Sequence, residues 1–210
     1  MLKGNCPCRK SQVLDAMQIK SELRKQTLLL RAAFDGEKRS SSSQKIAGKL
    51  FDLKEYKECS RLFCYFSKKE EISTEEIIKR ALGEGKSVAL PVCIGDDMIF
   101  RYISGFEDLD KGSFGVYEPK SRCGQAFANE NTVCITPALC CNRDGYRIGY
   151  GKGFYDRFFE KNQCIKIALC YDEFIKDFEP WENDISADII VTERRLIYAH
   201  SNNRKEDQNG

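Results

Sequence analysis

Apolar and polar positions alternate in short blocks along this chain, and their spacing predicts helices and strands in turn. Over residues 15–34, Ile19, Leu23, Leu30 and Phe34 fall on one stripe at helical spacing. Gly36 and Lys38 are expected to end that helix. The serine run 40–43 reads as a linker and N-cap, because serine hydroxyls accept orphan helix N–H bonds. A second helix follows with Ile46, Leu50 and Leu53 on one side. Residues 61–67 (R-L-F-C-Y-F-S) read as the first buried strand. Ser73 and Glu76 have capping-box spacing, so a helix is expected from there to about Leu82, where Gly83 and Gly85 stop it. Strands follow at 87–94 and 98–103. Pro91 inside the first marks an edge, a bulge or a strand end, since proline has no N–H for the ladder. Residues 108–112 lack the ligand set of a calcium loop and read as a turn. Strands at 132–139, 165–171 and 187–193, a helix at 154–161 and a last edge strand at 194–199 complete the pattern. Such alternation predicts an α/β fold: a three-layer α/β/α sandwich with a mostly parallel central sheet, Rossmann-like. One domain is expected at 15–199, with a flexible N-terminus at 1–14 and a disordered tail at 200–210.

Composition narrows the function. A chain of 210 residues can bury a sizeable core as one domain. A net charge of +2 sets up no global field for nucleic acid or a membrane surface. No apolar run approaches the length of a membrane span, and no secretory h-region is visible. A cytoplasmic location and a monomer are expected, with a mitochondrial leader the remaining alternative. The eleven cysteines form no C-x-x-C pair, so they read as buried thiols in a reducing compartment. The only histidine, His200, lies near the tail, which argues against catalysis that needs a histidine base.

The stretch 145–157, G-Y-R-I-G-Y-G-K-G-F-Y-D-R, carries the candidate chemistry. It follows a β-branched run and precedes a helix start. Gly149, Gly151 and Gly153 let the backbone turn several N–H groups inward as an anion-binding nest. Strand, glycine loop and helix is an arrangement that holds phosphate. Arg147 and Lys152 add cations, and Asp156 adds a hard oxygen suited to magnesium. The spacing is neither a Walker loop nor a dinucleotide fingerprint, and a tight turn at a strand end is the plain alternative. On the first helix, Lys20 and Arg24 share a face one turn apart. They read either as a solvated charged face or as a pair of cations reaching one polyphosphate.

This stretch resembles the signature of the 5-formyltetrahydrofolate cyclo-ligase family, G-x-R-[LI]-G-x-G-x-G-[YF]-Y-D. Five further patches match in the family's order: Lys20 to Arg24 in the first helix, Glu71 in E-I-x-T-x-x-I, G-x-x-E-P at 115–119, the strand ending at 135–139, and P-x-E-x-D with a strand ending T-E at 180–193. The resemblance implies ATP- and magnesium-dependent closure of 5-formyltetrahydrofolate to 5,10-methenyltetrahydrofolate, with small-molecule substrates only. It places Lys20, Arg24, Arg147, Gly149, Gly151, Lys152 and Gly153 on ATP. Phe66, Glu71, Tyr150, Phe154 and Tyr155 fall on the folate side. Lys152, Tyr155 and Arg147 fall at the reacting groups, and Asp156 with Asp184 at magnesium. Two departures stand out: Tyr150 where an arginine is frequent, and Cys140-Cys141 where Gly or Ala then Phe is common. The rival readings are a sugar-phosphate-binding or isomerase-type α/β domain, a nucleotide-sensing module, and metal storage by the cysteines.

Overall fold

The structure is a computed structural model that describes the backbone of residues 7–112 and 115–199, and side chains from residue 17 onward within those ranges. The expectations for residues 1–6, for His200 and for the tail lie outside the described residues. The helices are α1 Pro7–Ala32, α2 Gly36–Asp52, α3 Lys54–Glu58, α4 Glu75–Gly83 and α5 Phe154–Lys161. The strands are β1 Arg61–Phe63, β2 Ser87–Ile94, β3 Asp97–Ile103, β4 Leu109–Lys111, β5 Tyr117–Pro119, β6 Gln125–Ala126, β7 Thr132–Pro137, β8 Cys140–Cys141, β9 Arg147–Ile148, β10 Ile165–Leu169, β11 Ile189–Val191 and β12 Leu196–Tyr198. No helix among the described residues is long and apolar enough to cross a membrane.

Eight strands form the main sheet in the order β12-β11-β10-β7-β1-β2-β3-β6. The central run from β11 to β2 is parallel, while β12, β3 and β6 pair antiparallel with their neighbours at the two sides. Side chains alternate between two cores, as the period of two in a strand demands. Leu62, Val88, Leu90, Val133 and Ile135 pack on one face with Ile46 and Leu50 of α2, Tyr56 of α3 and Ile77 and Ile78 of α4. Phe63, Ala89, Phe100 and Cys134 pack on the other with Phe158 and Phe159 of α5. The sheet is therefore a middle layer, as the alternation of elements predicts. Pro91 sits in β2 beyond the stretch that pairs with β1, so its missing N–H breaks no ladder there.

This topology fixes where a ligand can enter. Strands β1 and β7 are parallel neighbours. The helix after β1, α4, lies on one face, and the helix after β7, α5, lies on the other. The chain thus departs in opposite directions from the carboxyl ends of adjacent strands, which opens a crevice there. Phe66 to Glu71 follow β1 into that crevice, and the glycine loop follows β7 and the β8–β9 hairpin into it.

Several local expectations need correction. Helix α1 begins at Pro7 rather than near Asp15, and it ends before Phe34. Ile19 and Leu30, assigned to its buried stripe, are exposed. The serines at 40–43 are not a linker but lie inside α2, because Asp35 already caps that helix by accepting the Lys38 N–H at 2.7 Å. Ser73 and Glu76 form no capping box. Thr74 holds the N-cap position without a side-chain cap bond, and its hydroxyl instead donates to the Tyr65 carbonyl at 2.6 Å. Residues 109–111 are a strand, β4, paired with β5 rather than part of a turn.

Candidate active site at the switch point of the sheet

The glycine loop is held open from both ends. Gly151 and Gly153 have φ of +91° and +66°, values that side chains with a Cβ rarely adopt. Gly153 is the residue before α5, so the first N–H groups of that helix face the loop. Gly149 has no such backbone demand, and a Cβ on it would meet nothing within 4 Å. Gly145, just upstream, has φ +90°, and a Cβ there would run into the Ala187 carbonyl. Lys152 projects from the loop exposed to solvent, with no hydrogen bond or ion pair among the described residues.

Helix α1 delivers its cations to this loop. Arg24 Nε donates to the Gly149 carbonyl at 2.8 Å, and a Cβ on Gly151 would lie 3.4 Å from the Arg24 guanidinium. Lys20, one turn earlier, is only 6% exposed and pairs with Asp184 Oδ2. The same helical face continues with Thr27, 2.9 Å from Cys140 Sγ, and Arg31, which donates to the carbonyls of Ala138 and Leu139. The face that α1 buries is thus polar. The carbonyl-rich loop it packs against needs donors, and leucine has none. Sequence reasoning missed Thr27 and Arg31, although the series 20, 24, 27, 31 has helical spacing.

Arg147 and Asp156 lie together but face inward. Arg147 is 5% exposed at its side chain; its Nη2 donates to Asp156 Oδ1 at 2.9 Å and its Nη1 to the Ile185 carbonyl at 2.6 Å. The Ile185 N–H also donates to Asp156 Oδ1, at 3.2 Å. Arg147 is thus engaged with Asp156 and with the 184–185 loop. Asp156 keeps Oδ2 without a partner among the described residues. Asp184, expected beside it as a metal ligand, gives Oδ2 to Lys20 and to the Trp181 N–H, the latter at 2.8 Å. Among the described residues no three His, Cys, Asp or Glu side chains are grouped to hold a metal by themselves. A single free carboxylate oxygen fits magnesium, which is commonly bound by one or two carboxylates plus substrate phosphates.

Past the end of β1 lies a cavity of about 640 Å³ lined by the start of α2, by Phe66 to Lys69 and Glu71, and by Gly115 to Tyr117. Phe66 packs edge-on against Phe106 and Tyr117, with centroids 5.6 and 5.4 Å away. Glu71 is buried, and burial raises its carboxyl above the ordinary value. The Lys68 N–H, at 2.8 Å, and the Tyr150 hydroxyl act in the opposite direction and stabilise its charge. Tyr150 thus joins the glycine loop to the acidic wall. The ammonium of Lys68 lies 4.9 Å from the centre of its ring. Tyr155 carries a buried hydroxyl with no partner among the described residues, and burial raises its pKa well above the usual value. Phe154 packs beside it at the start of α5, with the Arg157 guanidinium 5.3 Å from its ring. Arg39, Ser40, Ser43, Lys68 and Lys69 also line the cavity and escaped sequence reasoning, because only the fold brings the start of α2 to the end of β1.

Comparisons with known proteins point to one family. The family model described as the 5-formyltetrahydrofolate cyclo-ligase family matches residues 16–193. The 5-formyltetrahydrofolate cyclo-ligase of Haemophilus influenzae is 29% identical over 162 residues, 73% of this chain and 84% of that one. The protein of the same name from Saccharomyces cerevisiae is 28% identical over 203 residues, 83% of this chain and 95% of that one. Among solved structures, the 5,10-methenyltetrahydrofolate synthetase of Aquifex aeolicus superposes with a TM-score of 0.78 at 27% identity, covering 91% of this chain and 98% of that one.

Proposed function

The chain belongs to the 5-formyltetrahydrofolate cyclo-ligase family, and from that membership we propose how its residues convert 5-formyltetrahydrofolate to 5,10-methenyltetrahydrofolate with ATP as second substrate. A formamide carbonyl is a poor electrophile, because its nitrogen donates into it. Transfer of the terminal phosphoryl group of ATP to the formyl oxygen makes an iminium phosphate and releases ADP. The neighbouring N10 then attacks the formyl carbon and gives up its proton, and phosphate leaves with that proton and the former formyl oxygen as the ring closes. Such a transfer asks the protein chiefly for alignment and for charge stabilisation.

Each requirement has a residue. The inward amides of Gly149 to Gly153 and the first turn of α5 cradle the terminal phosphates. Arg24 and Lys20 line the path of the remaining phosphates along α1. Lys152, the unengaged cation of the loop, stabilises the phosphoryl group in transfer. The free Asp156 oxygen would hold magnesium, which neutralises polyphosphate charge when bound. Asp184 acts through Lys20, and Arg147 through Asp156, so both are positioning residues. On the folate side Glu71 accepts hydrogen bonds from the pterin and Phe66 packs against the rings. Tyr150, Phe154 and Tyr155 stand at the junction, where the buried Tyr155 hydroxyl is available to the reacting groups.

The observation that supports this reading best is that one loop touches both walls: Arg24 holds Gly149, and Tyr150 reaches Glu71. Protein mixed with magnesium-ATP and 5-formyltetrahydrofolate should develop the near-ultraviolet band of the methenyl product, and should not without ATP. A band that forms equally well without ATP would overturn the role of the nucleotide.

A further inference from the structure

We propose that Trp181 is the platform on which the base of the nucleotide stacks. The proposal rests on the nucleotide reading above and extends it to the end of the ligand that carries no phosphate.

Trp181 is the chain's single tryptophan, and it is 40% exposed on a loop whose neighbours Glu179, Glu182 and Asn183 are polar. An exposed large ring on a loose loop would carry little meaning, but the backbone that carries this one is fixed. The Trp181 main-chain N–H donates to Asp184 Oδ2 at 2.8 Å, and its carbonyl accepts the Asp184 N–H at 3.0 Å. The same Asp184 carboxylate holds the ammonium of Lys20, whose Nζ lies 4.7 Å from the Trp181 ring centre. One carboxylate thus holds both the turn that carries the aromatic ring and the lysine assigned to phosphate.

The order of groups along the crevice matches the order of groups in a nucleoside triphosphate. Gly151 and Lys152 stand at the reacting end, and Arg24 lies against Gly149 and Gly151. Lys20 comes one helical turn, about 6 Å, further along α1. The Trp181 ring adjoins Lys20, 4.7 Å from its ammonium. A polyphosphate that starts in the glycine loop and follows these two cations brings its nucleoside to the ring. Every purine has a π-face, and a tryptophan face is the natural partner for it. Recognition through that face depends weakly on which base is present. ATP and GTP are therefore both accepted, while a bare triphosphate loses the contact. The folate lies elsewhere, against Phe66 and Glu71 across the loop.

A single tryptophan makes the test direct. The intrinsic fluorescence of the full chain is titrated, without folate, with magnesium complexes of ATP, GTP and tripolyphosphate. ATP and GTP should quench the emission to similar extents, and tripolyphosphate should leave it nearly unchanged. In turnover assays Trp181→Leu should raise the KM for ATP about ten-fold, the loss of one base–aromatic stack. The kcat and the KM for 5-formyltetrahydrofolate should change little, and Trp181→Phe should recover most of the loss. Emission that ignores ATP at concentrations that saturate turnover would overturn the platform. So would an equal response to tripolyphosphate, or an unchanged KM for ATP in Trp181→Leu. Quenching by ATP in a protein that forms no methenyl product would leave the platform standing and remove the proposed reaction. Product formation with a silent tryptophan would remove the platform alone.

Discussion

Arg24 donates through Nε to the carbonyl oxygen of Gly149 at 2.8 Å, so the first helix and the glycine loop are one assembly although 125 residues separate them in sequence. This bond orients the loop without using the Arg24 terminal nitrogens, which remain for a ligand. Arg24→Lys keeps a cation but loses the planar fork that can bond the loop and a phosphate together. We expect its KM for ATP to rise by about ten-fold, a loss of roughly one charge-assisted hydrogen bond. A variant with unchanged KM would show that the contact is architectural only.

Lys152 has no protein partner among the described residues, so its removal costs the native state little. Lys152→Ala should lower kcat by about 100-fold or more, the usual effect of removing one preorganised group that stabilises a transition state. Its thermal midpoint should match that of the unsubstituted chain. Steady-state rates and a melting curve on the same preparation decide the point; a fall in both would mean that Lys152 supports the fold.

Two glycines of one short stretch should behave in opposite ways. Gly145 has φ +90°, and a Cβ there meets the Ala187 carbonyl, so Gly145→Ala should cost about 3 kcal/mol or more of stability. Gly149 has neither a positive φ nor a close neighbour, so Gly149→Ala should stay within about 1 kcal/mol. Denaturant unfolding measures both. Equal losses would contradict the loop conformation described here.

Glu71 ties stability to pH. Burial raises its carboxyl above the ordinary value, so the native chain binds this proton more tightly than the unfolded chain does. A raised carboxyl favours folding while protonated, and that advantage disappears as pH climbs through the native pKa. Glu71→Gln cannot ionise, and its amide oxygen can still accept the Lys68 N–H. It should melt higher than the parent at neutral pH, and the gap should close as the pH falls to about 4. Its KM for the folate should rise at the same time. A gap that widens on acidification would refute the account.

Much of this molecule was legible in its residues, for identifiable reasons. The central strands read correctly because β7, and β10 from Ile167 to Leu169, are buried on both faces and so consist of apolar and β-branched runs. The glycine loop was legible because its residue types are tied to one backbone path. Helix α1 was misread because apolar residues were assumed to mark its buried side. Its inner face meets carbonyls, so Lys20, Thr27 and Arg31 are buried while Ile19 and Leu30 are not. The internal partners of Arg147 and Asp184 were not legible, because only the fold brings Asp156 and Lys20 to them. The cavity beside Glu71 was hidden for a related reason: its walls come from α2, from the segment that follows β1 and from residues 115–117, and only the folded sheet brings them together.

The polar underside of α1 has one more consequence. Most helices are seated by oil, which salt hardly disturbs, but this one is seated largely by charges and hydrogen bonds at the lip of a crevice. Its attachment should weaken as ionic strength rises, well before the sheet feels any change. On the proposed reading, bound polyphosphate would bridge Lys20 and Arg24 to the loop opposite as the missing fastener, and the first helix would be gripped most firmly in the loaded protein.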